Sequence, residues 1–159
     1  MPITIRQAQN EDHLAIERLL RQTAQLHAEL RPEIFRAGSR KYDRKQFAEM
    51  LEDQDAPILV AQDDYGEVLG YAMLQVKSVS AAHPVLLPRT FLYLDDLCVD
   101  EAARGRGIGK LLMQGVRELA RERGIEKIEL NVWECNETAM RFYERLGFVS
   151  QRRELELNV

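Results

Sequence analysis

The chain has 159 residues and a formal net charge of −4, and 45% of its residues are hydrophobic and 30% charged. This composition is typical of a soluble globular protein, and the length predicts one domain over residues 1–159. The acidic balance argues against a nucleic-acid partner, and no apolar run approaches the roughly 20 residues of a membrane span. No apolar leader is visible near the N-terminus, the two cysteines have no disulfide or metal spacing, and the three histidines are scattered, so we expect a cytoplasmic protein with no metal and no membrane partner.

The first third of the chain predicts one strand and two helices. Ile3–Ile5 alternates as a short strand, and Asn10 offers an N-cap for an amphipathic helix that Pro32 ends or bends. The polar segment Arg31–Tyr42 is a loop and the first candidate for substrate contact. Asp43 then caps a second, short helix.

The middle of the chain predicts three strands. Pro57–Ala61 and Val68–Val76 flank a hairpin turn at 63–66, a pattern typical of antiparallel pairing. Ser78–Arg89 contains two prolines and is interpreted as a loop. Phe91–Val99 is the central strand.

The last third predicts a helix over Gly107–Arg123, a strand over Ile128–Val132, a helix over Glu137–Leu146 and a final strand over about Phe148–Leu157. The order is β-α-α-β-β-β-α-β-α-β. Hairpin-linked strands followed by a crossover predict an α/β (α+β) fold with a mixed, mostly antiparallel central sheet flanked by helices.

The stretch Asp95–Lys110 carries the strongest functional signal, and it reads DDLCVDEAARGRGIGK. A strand, a glycine-bearing turn and a helix N-terminus together form an anion site, because first-turn N–H groups lack intrahelical partners and the helix dipole adds positive charge. Arg104, Arg106 and Lys110 add full charges. We interpret this turn as a pyrophosphate cradle.

The spacing of the turn does not fit two common phosphate-binding loops. A Walker A loop requires Ser or Thr after Gly-Lys, whereas Leu111 follows Lys110. A dinucleotide fingerprint requires G-x-G-x-x-G, whereas the glycines here are Gly105, Gly107 and Gly109. An ordinary strand-to-helix loop with surface arginines remains an alternative.

Two motifs resemble the GCN5-related N-acetyltransferase (GNAT) superfamily. The first is Arg-x-x-Gly-x-Gly from Arg104 to Gly109, and the second is Asn131–Phe148, which reads NVWECNETAMRFYERLGF. The predicted element order also matches this superfamily from end to end. The resemblance implies a GNAT fold and an acetyl-CoA-dependent N-acetyltransferase.

The resemblance also implies roles for particular residues. The strand Phe91–Val99 would carry a bulge and splay away from Ile128–Val132, and pantetheine would lie in the opening. Backbone contacts to pantetheine would come from Leu97, Cys98 and Val99, and Asn136 would touch the same arm. The pyrophosphate would rest on the amides of Arg104, Gly105, Arg106, Gly107, Ile108, Gly109 and Lys110.

The chemistry requires a base for the acceptor amine and a proton donor for the departing thiolate. By the same resemblance, Asp95 stands where some members place a Glu base, with Asp96 beside it on the opposite face, and Tyr143 is the candidate general acid near the thioester sulfur. Each has a structural alternative, because Asp95 can simply end a strand and Tyr143 can belong to the core. Cys98 is interpreted as a small buried hydrophobe, and Asn136 as an N-cap whether or not it meets a ligand.

Three functions remain in competition. The first is an acetyl-CoA-dependent transferase that acts on a primary amine, of a small molecule or a peptide, by direct attack in a ternary complex. The second is a non-catalytic acyl-CoA-binding regulatory module. The third is an acyltransferase with another acyl donor or an oxygen acceptor. Homodimers are common in the superfamily, so a homodimer is a possible partner.

Overall fold

A computed structural model describes residues 2–38 and 41–159. The strands and helices, with two single turns of 3₁₀-helix at Asn10–Asp12 and Glu101–Ala103, are β1 Ile3–Gln7, α1 His13–Leu30, α2 Arg44–Glu52, β2 Ile58–Asp63, β3 Val68–Val79, β4 Arg89–Val99, α3 Ile108–Glu122, β5 Ile128–Leu130 and α4 Glu137–Arg145.

The five strands form one sheet in the order β1-β2-β3-β4-β5. The first three neighbouring pairs are antiparallel, and β4 and β5 are parallel. The mixed, mostly antiparallel sheet flanked by helices is therefore confirmed. Within the described residues, however, no strand follows α4, so the last element of the predicted order is wrong.

The predicted final strand over Phe148–Leu157 lacks what a strand requires. Its Glu-Leu alternation suits a half-buried strand, yet Leu155 and Leu157 are both almost fully exposed. The segment pairs with no described strand. Alternation favours an extended backbone, but only a neighbouring edge and a buried face turn that backbone into a sheet strand.

Two apolar layers cover the two faces of the sheet. One joins α1 and α2 to the sheet around Ile16, Leu19, Phe47 and Tyr71. The other joins α3 to the opposite face and includes half-buried residues of α4. The central strands are buried from both sides, which accounts for their nearly continuous apolar sequences.

Local signals set most element boundaries. Asp43 caps α2 by accepting a hydrogen bond from the Gln46 N–H at 2.8 Å, as predicted. The predicted cap at Asn10 is wrong, because Gln9 precedes the 3₁₀ turn and the Asp12 carboxylate accepts the Gln9 N–H at 2.7 Å. The predicted loop Ser78–Arg89 is shorter than expected, because β3 and β4 pair out to Val79 and Arg89.

The helices α3 and α4 meet at Gly109. A Cβ atom at this position would lie 3.1 Å from the Phe142 ring and 3.7 Å from the Val99 side chain. Gly109 therefore allows α4 to pack closely against the first turn of α3.

We expect Gly109→Val to lower the free energy of unfolding by about 1–3 kcal/mol, because the added atoms overpack the contact with Phe142. Chemical denaturation measures the change. Gln114→Val is the matched control, since it places the same β-branched residue on the exposed face of α3. Phe142→Leu should restore part of the loss in the Gly109→Val background, and a loss equal to that of Gln114→Val would contradict the packing argument.

Candidate active site

The central strand β4 contains a β-bulge at Asp95. Across the β3–β4 ladder Met73 faces Asp96 and Leu74 faces Leu94, which leaves Asp95 as the extra residue. A bulge of this kind reverses the alternation of the strand. Leu94 before the bulge and Leu97 after it consequently pack against the same apolar layer, on the side of α3.

The bulge coincides with the point where β5 leaves β4. The parallel pairing covers only Leu92–Leu94, opposite Ile128–Leu130. Beyond it, the Asp100 N–H donates to the Leu69 carbonyl at 2.8 Å. By alternation the peptide groups of Cys98 also face β3. Those of Leu97 and Val99 therefore face the opposite edge of β4, which β5 no longer covers. The splay implied by the resemblance is therefore present.

The glycine turn leads from this open edge into α3. Gly105 and Gly107 both have left-handed backbone conformations, with φ of +79° and +76°. The first bond of α3 runs from the Leu111 N–H to the Gly107 carbonyl at 3.1 Å, so the N–H groups of Ile108 to Lys110 have no intrahelical acceptor. A turn with this geometry presents free donors to an anion.

The charged residues of the turn are exposed. The Arg104 guanidinium lies 3.4 Å from the Val99 carbonyl oxygen. In the described part of the chain, neither Arg106 nor Lys110 has an ion-pair partner. Their charges are therefore available to a ligand on the turn.

Asp100 anchors the turn, and sequence reasoning missed it. Its carboxylate pairs with Arg18 of α1 and accepts the Ala102 N–H at 3.0 Å. Burial raises the pKa of Asp100, but the Arg18 hydrogen bond and the Ala102 N–H outweigh burial and keep the pKa below its usual range. An Asp before Glu-Ala-Ala is a local cap signal, whereas the pairing with Arg18 is a tertiary contact.

Of the two adjacent carboxylates, the structure distinguishes Asp96 from Asp95. Asp95 is exposed at the bulge, whereas Asp96 is half-buried and accepts a hydrogen bond from the Tyr71 hydroxyl at 2.7 Å. Burial raises the pKa of Asp96, and the Tyr71 hydrogen bond only partly opposes the rise. A carboxyl with a raised pKa beside an open backbone edge is a candidate proton acceptor.

Tyr143 lies on α4, which packs against the first turn of α3. It is half-buried, and its ring packs edge-on against Phe142 and Phe148 at centroid distances of 5.2 and 5.5 Å. Burial, followed by the charge of Asp96, raises its pKa well above the usual range. No described residue hydrogen-bonds to its hydroxyl. Tyr143 is thus both a packing residue and a protonated donor without a partner among the described residues.

The remaining predicted residues are placed as follows. Asn136 caps α4, because its side-chain oxygen accepts the Ala139 N–H at 3.2 Å. Cys98 is buried with its Sγ atom 3.5 Å from the Leu19 carbonyl, and burial raises the pKa of the thiol to about 11. This environment suits a small buried hydrophobe, not a nucleophile.

Trp133 lies with the loop after α1, and not in the core. Its ring meets Phe35 edge-on at 5.5 Å, and Phe35 stacks on His27 at 4.9 Å. The predicted substrate loop and the β5–α4 connection therefore meet beside the opening of the sheet.

Among the described residues, no group of three or more His, Cys, Asp or Glu side chains is placed to hold a metal ion. Within the same residues, no helix is both long enough and apolar enough to cross a membrane.

Several known N-acetyltransferases are similar in sequence. Glucosamine 6-phosphate N-acetyltransferase of Trypanosoma brucei brucei is 34% identical over 67 residues, which are 42% of this chain and 44% of that protein. A peptidyl-lysine N-acetyltransferase of Salmonella typhimurium is 31% identical over 116 residues, or 71% of this chain and 66% of that one. The chain spans about half the length of the first curated relatives it matches.

Solved structures agree over nearly the whole chain. A Bacillus halodurans protein, solved as a tetramutant, superposes with a TM-score of 0.92 at 30% identity, covering 98% of this chain and 99% of that one. The family model described as the acetyltransferase (GNAT) family matches residues 21–148. The bulged strand, the glycine turn and these similarities lead to one conclusion: the chain belongs to the GNAT acetyltransferase family.

Proposed function

We propose that this protein is an acetyl-CoA-dependent N-acetyltransferase that acylates a primary amine by direct attack in a ternary complex. The observation that carries the proposal is the bulge at Asp95. Beyond the bulge the peptide groups of Leu97 and Val99 face the edge that β5 has left, and β4 leads from there into the anion-binding turn before α3. An extended thioester donor with a pyrophosphate fits these two features together.

The residues present suit coenzyme A. Its pyrophosphate would rest on the free amides at the start of α3, with Arg106 and Lys110 contributing charge. Its pantetheine arm would hydrogen-bond to the uncovered edge of β4 in the manner of an added strand. Asn136 is the N-cap of α4, and we propose that it also contacts this arm.

Acetyl-CoA supplies an activated acyl carbon when bound, and the chain supplies hydrogen bonds and proton transfers. N–H groups at the bulge would stabilise the negative charge that develops on the carbonyl oxygen. The Tyr143 hydroxyl would donate its proton to the departing thiolate. Because its pKa is raised, Tyr143 stays protonated at neutral pH.

We propose Asp96 as the base that accepts the proton of the attacking amine. Burial raises the pKa of Asp96 towards neutral pH, and a general base is most effective when its pKa lies near the working pH. The hydrogen bond from Tyr71 fixes its orientation. Asp95, the candidate from sequence, is exposed, and its catalytic role stays a prediction that substitutions of the two carboxylates can test.

The acceptor is proposed to be an amine that approaches from the side of α1. The named relatives acetylate glucosamine phosphate in one case and peptidyl-lysine in another, so an amine is common to both and the carrier is not. Attraction for a cationic amine would come from Asp95 and Asp96. Glu33 contributes less, because Arg31 already neutralises it with a hydrogen bond of 2.6 Å.

Gly107→Asn tests the cradle. Asn tolerates the left-handed conformation of this residue, but its side chain would occupy the approach to the free amides. We expect acetyl-CoA affinity to fall at least about tenfold by calorimetry. Gly124→Asn is the matched control, because Gly124 has φ of +66° and open surroundings at the other end of α3. Equal acetyl-CoA affinity in the folded Gly107→Asn and Gly124→Asn variants would contradict the pyrophosphate cradle.

Tyr143→Phe tests the proton donor. We expect turnover, measured by release of free thiol, to fall by about a hundredfold, because a positioned general acid contributes on that order. Acetyl-CoA affinity should stay unchanged, since the ring packing is kept. Tyr65→Phe, on an exposed turn, controls for the substitution itself, and full activity in Tyr143→Phe would leave Tyr143 a packing residue only.

The pH profile distinguishes the two carboxylates. A base acts when deprotonated, so kcat/KM should rise with pH through the pKa of Asp96, which lies above its ordinary value of 3.8. We expect Asp96→Asn to remove this rise and most of the activity, and Asp95→Asn to keep both. The reverse result would assign the base to Asp95.

A further inference from the structure

The chain after α4 crosses from one face of the sheet to the other. Phe148 still packs with the layer on the side of α3, and its N–H donates to the Tyr143 carbonyl at 3.1 Å. Residues 149–159, here called the strap, then form neither helix nor sheet strand. The Glu156 carboxylate of the strap reaches Arg31, directly after α1 on the opposite face.

Between these two points the strap passes Glu129 of β5 and Tyr93 of β4. Glu129 and Tyr93 face each other in the β4–β5 ladder. The pKa of Glu129 is lowered chiefly by its hydrogen bond with Arg89, with a smaller contribution from Gln151 of the strap. Burial and Asp95 raise the pKa of Tyr93, and Arg152 of the strap opposes them. The strap therefore lies beside Glu129 and Tyr93, and Tyr93 is two residues before the bulge.

Charge, and not apolar packing, holds the distal part of the strap. Leu155, Leu157 and Val159 are all exposed by more than 80%. The Arg31 guanidinium binds both oxygens of Glu156, at 2.8 and 3.0 Å. Both bonds come from one nitrogen, Arg31 Nη2, while Nε donates to Glu33, so this contact tethers the strap at Glu156.

Arg31 at the same time lies on the face of Trp133, with its guanidinium carbon 5.1 Å from the ring centroid. Trp133 contacts Phe35, and Phe35 stacks on His27. The side chain of Arg31 is only 20% exposed although both of its carboxylate partners are mostly exposed. Arg31 is thus the point where α1, the substrate loop, the β5–α4 connection and the strap meet.

This cluster lies on the same side of the sheet as the candidate base, because His27 belongs to α1 and Asp96 accepts a hydrogen bond from Tyr71 in the layer under α1. Burial raises the pKa of Asp96, and Lys41 and His27 are near enough to oppose that rise. His27 is also the last aromatic residue of the cluster. A continuous set of contacts therefore joins Glu156 of the strap to the surroundings of Asp96.

We propose that Arg31 is a specificity-determining residue, which fastens the strap through Glu156 onto Trp133 and so forms the outer wall of the acceptor-amine site. The role of this wall in acceptor binding rests on the proposed transferase function, whereas the contacts that form the wall do not depend on it. With the strap fastened, an amine reaches Asp96 through the space between the wall and the bulge. With the strap released, the same amine loses the contacts that hold it against the wall.

Trp133 is the only tryptophan in the chain, so its fluorescence reports on this wall alone. We expect Glu156→Gln to increase the quenching of Trp133 by acrylamide, about twofold, because the weakened pair exposes the ring. Sodium chloride at about 0.5 M should have the same effect on the unmodified protein, since it screens exposed charges. Glu154→Gln is the matched control, because this strap carboxylate has no partner among the described residues.

Kinetics with a panel of spermidine, ornithine, glucosamine 6-phosphate and a lysine peptide test whether the wall contributes to amine binding. For the amines that react, we expect Glu156→Gln to raise the KM of the amine about three- to fivefold and to leave the KM of acetyl-CoA unchanged. Equal changes in both KM values, or quenching equal to that of Glu154→Gln, would overturn the proposal. Altered quenching with no thiol release from any amine would instead contradict the proposed transferase. It would support the contact between the strap and Trp133 but not its role in binding an amine.

Discussion

The extra residue at Asp95 in β4 is the constraint on which the site depends. A regular strand would keep its even-numbered residues on one face and would continue to pair with β5. The bulge exchanges the two faces, so that Leu97 packs in the same layer as Leu94, and Asp96 turns towards Tyr71. Its cost is a row of unpaired peptide groups on the open edge, which is also what an extended donor can use.

The residues suited to the donor and those suited to the acceptor lie on opposite faces of the sheet. The side of α3 and α4 carries the glycine turn, the first-turn amides and Tyr143, which together suit the donor. The side of α1 carries Asp96, the aromatic cluster around Trp133 and the strap, which together suit the acceptor. Asp100 links them, because it holds the turn before α3 while pairing with Arg18 of α1. The donor half and the acceptor half are therefore oriented by one buried carboxylate.

Sequence reasoning succeeded where the signal is local and failed where it is tertiary. The caps at Asp43 and Asn136 and the glycine turn follow from side chains and φ preferences within a few residues. The family resemblance implied a bulge somewhere in Phe91–Val99, but its position came from the structure, since nothing in Asp95-Asp96 alone indicates which residue is extra. The choice of Asp96 over Asp95, the pairing of Asp100 and the failure of the final strand all depend on distant partners.

The contact between Gly109 and Phe142 has a consequence for how such a site can change over evolution. Because one aromatic ring against one bare Cα separates α3 from α4, these two positions together act as a spacer between the free amides and the Tyr143 hydroxyl. A larger residue at one position requires a smaller one at the other if that separation is to be kept. Residues 109 and 142 should therefore covary among relatives that share the donor, while residues 31, 133 and 156 are free to vary with the acceptor.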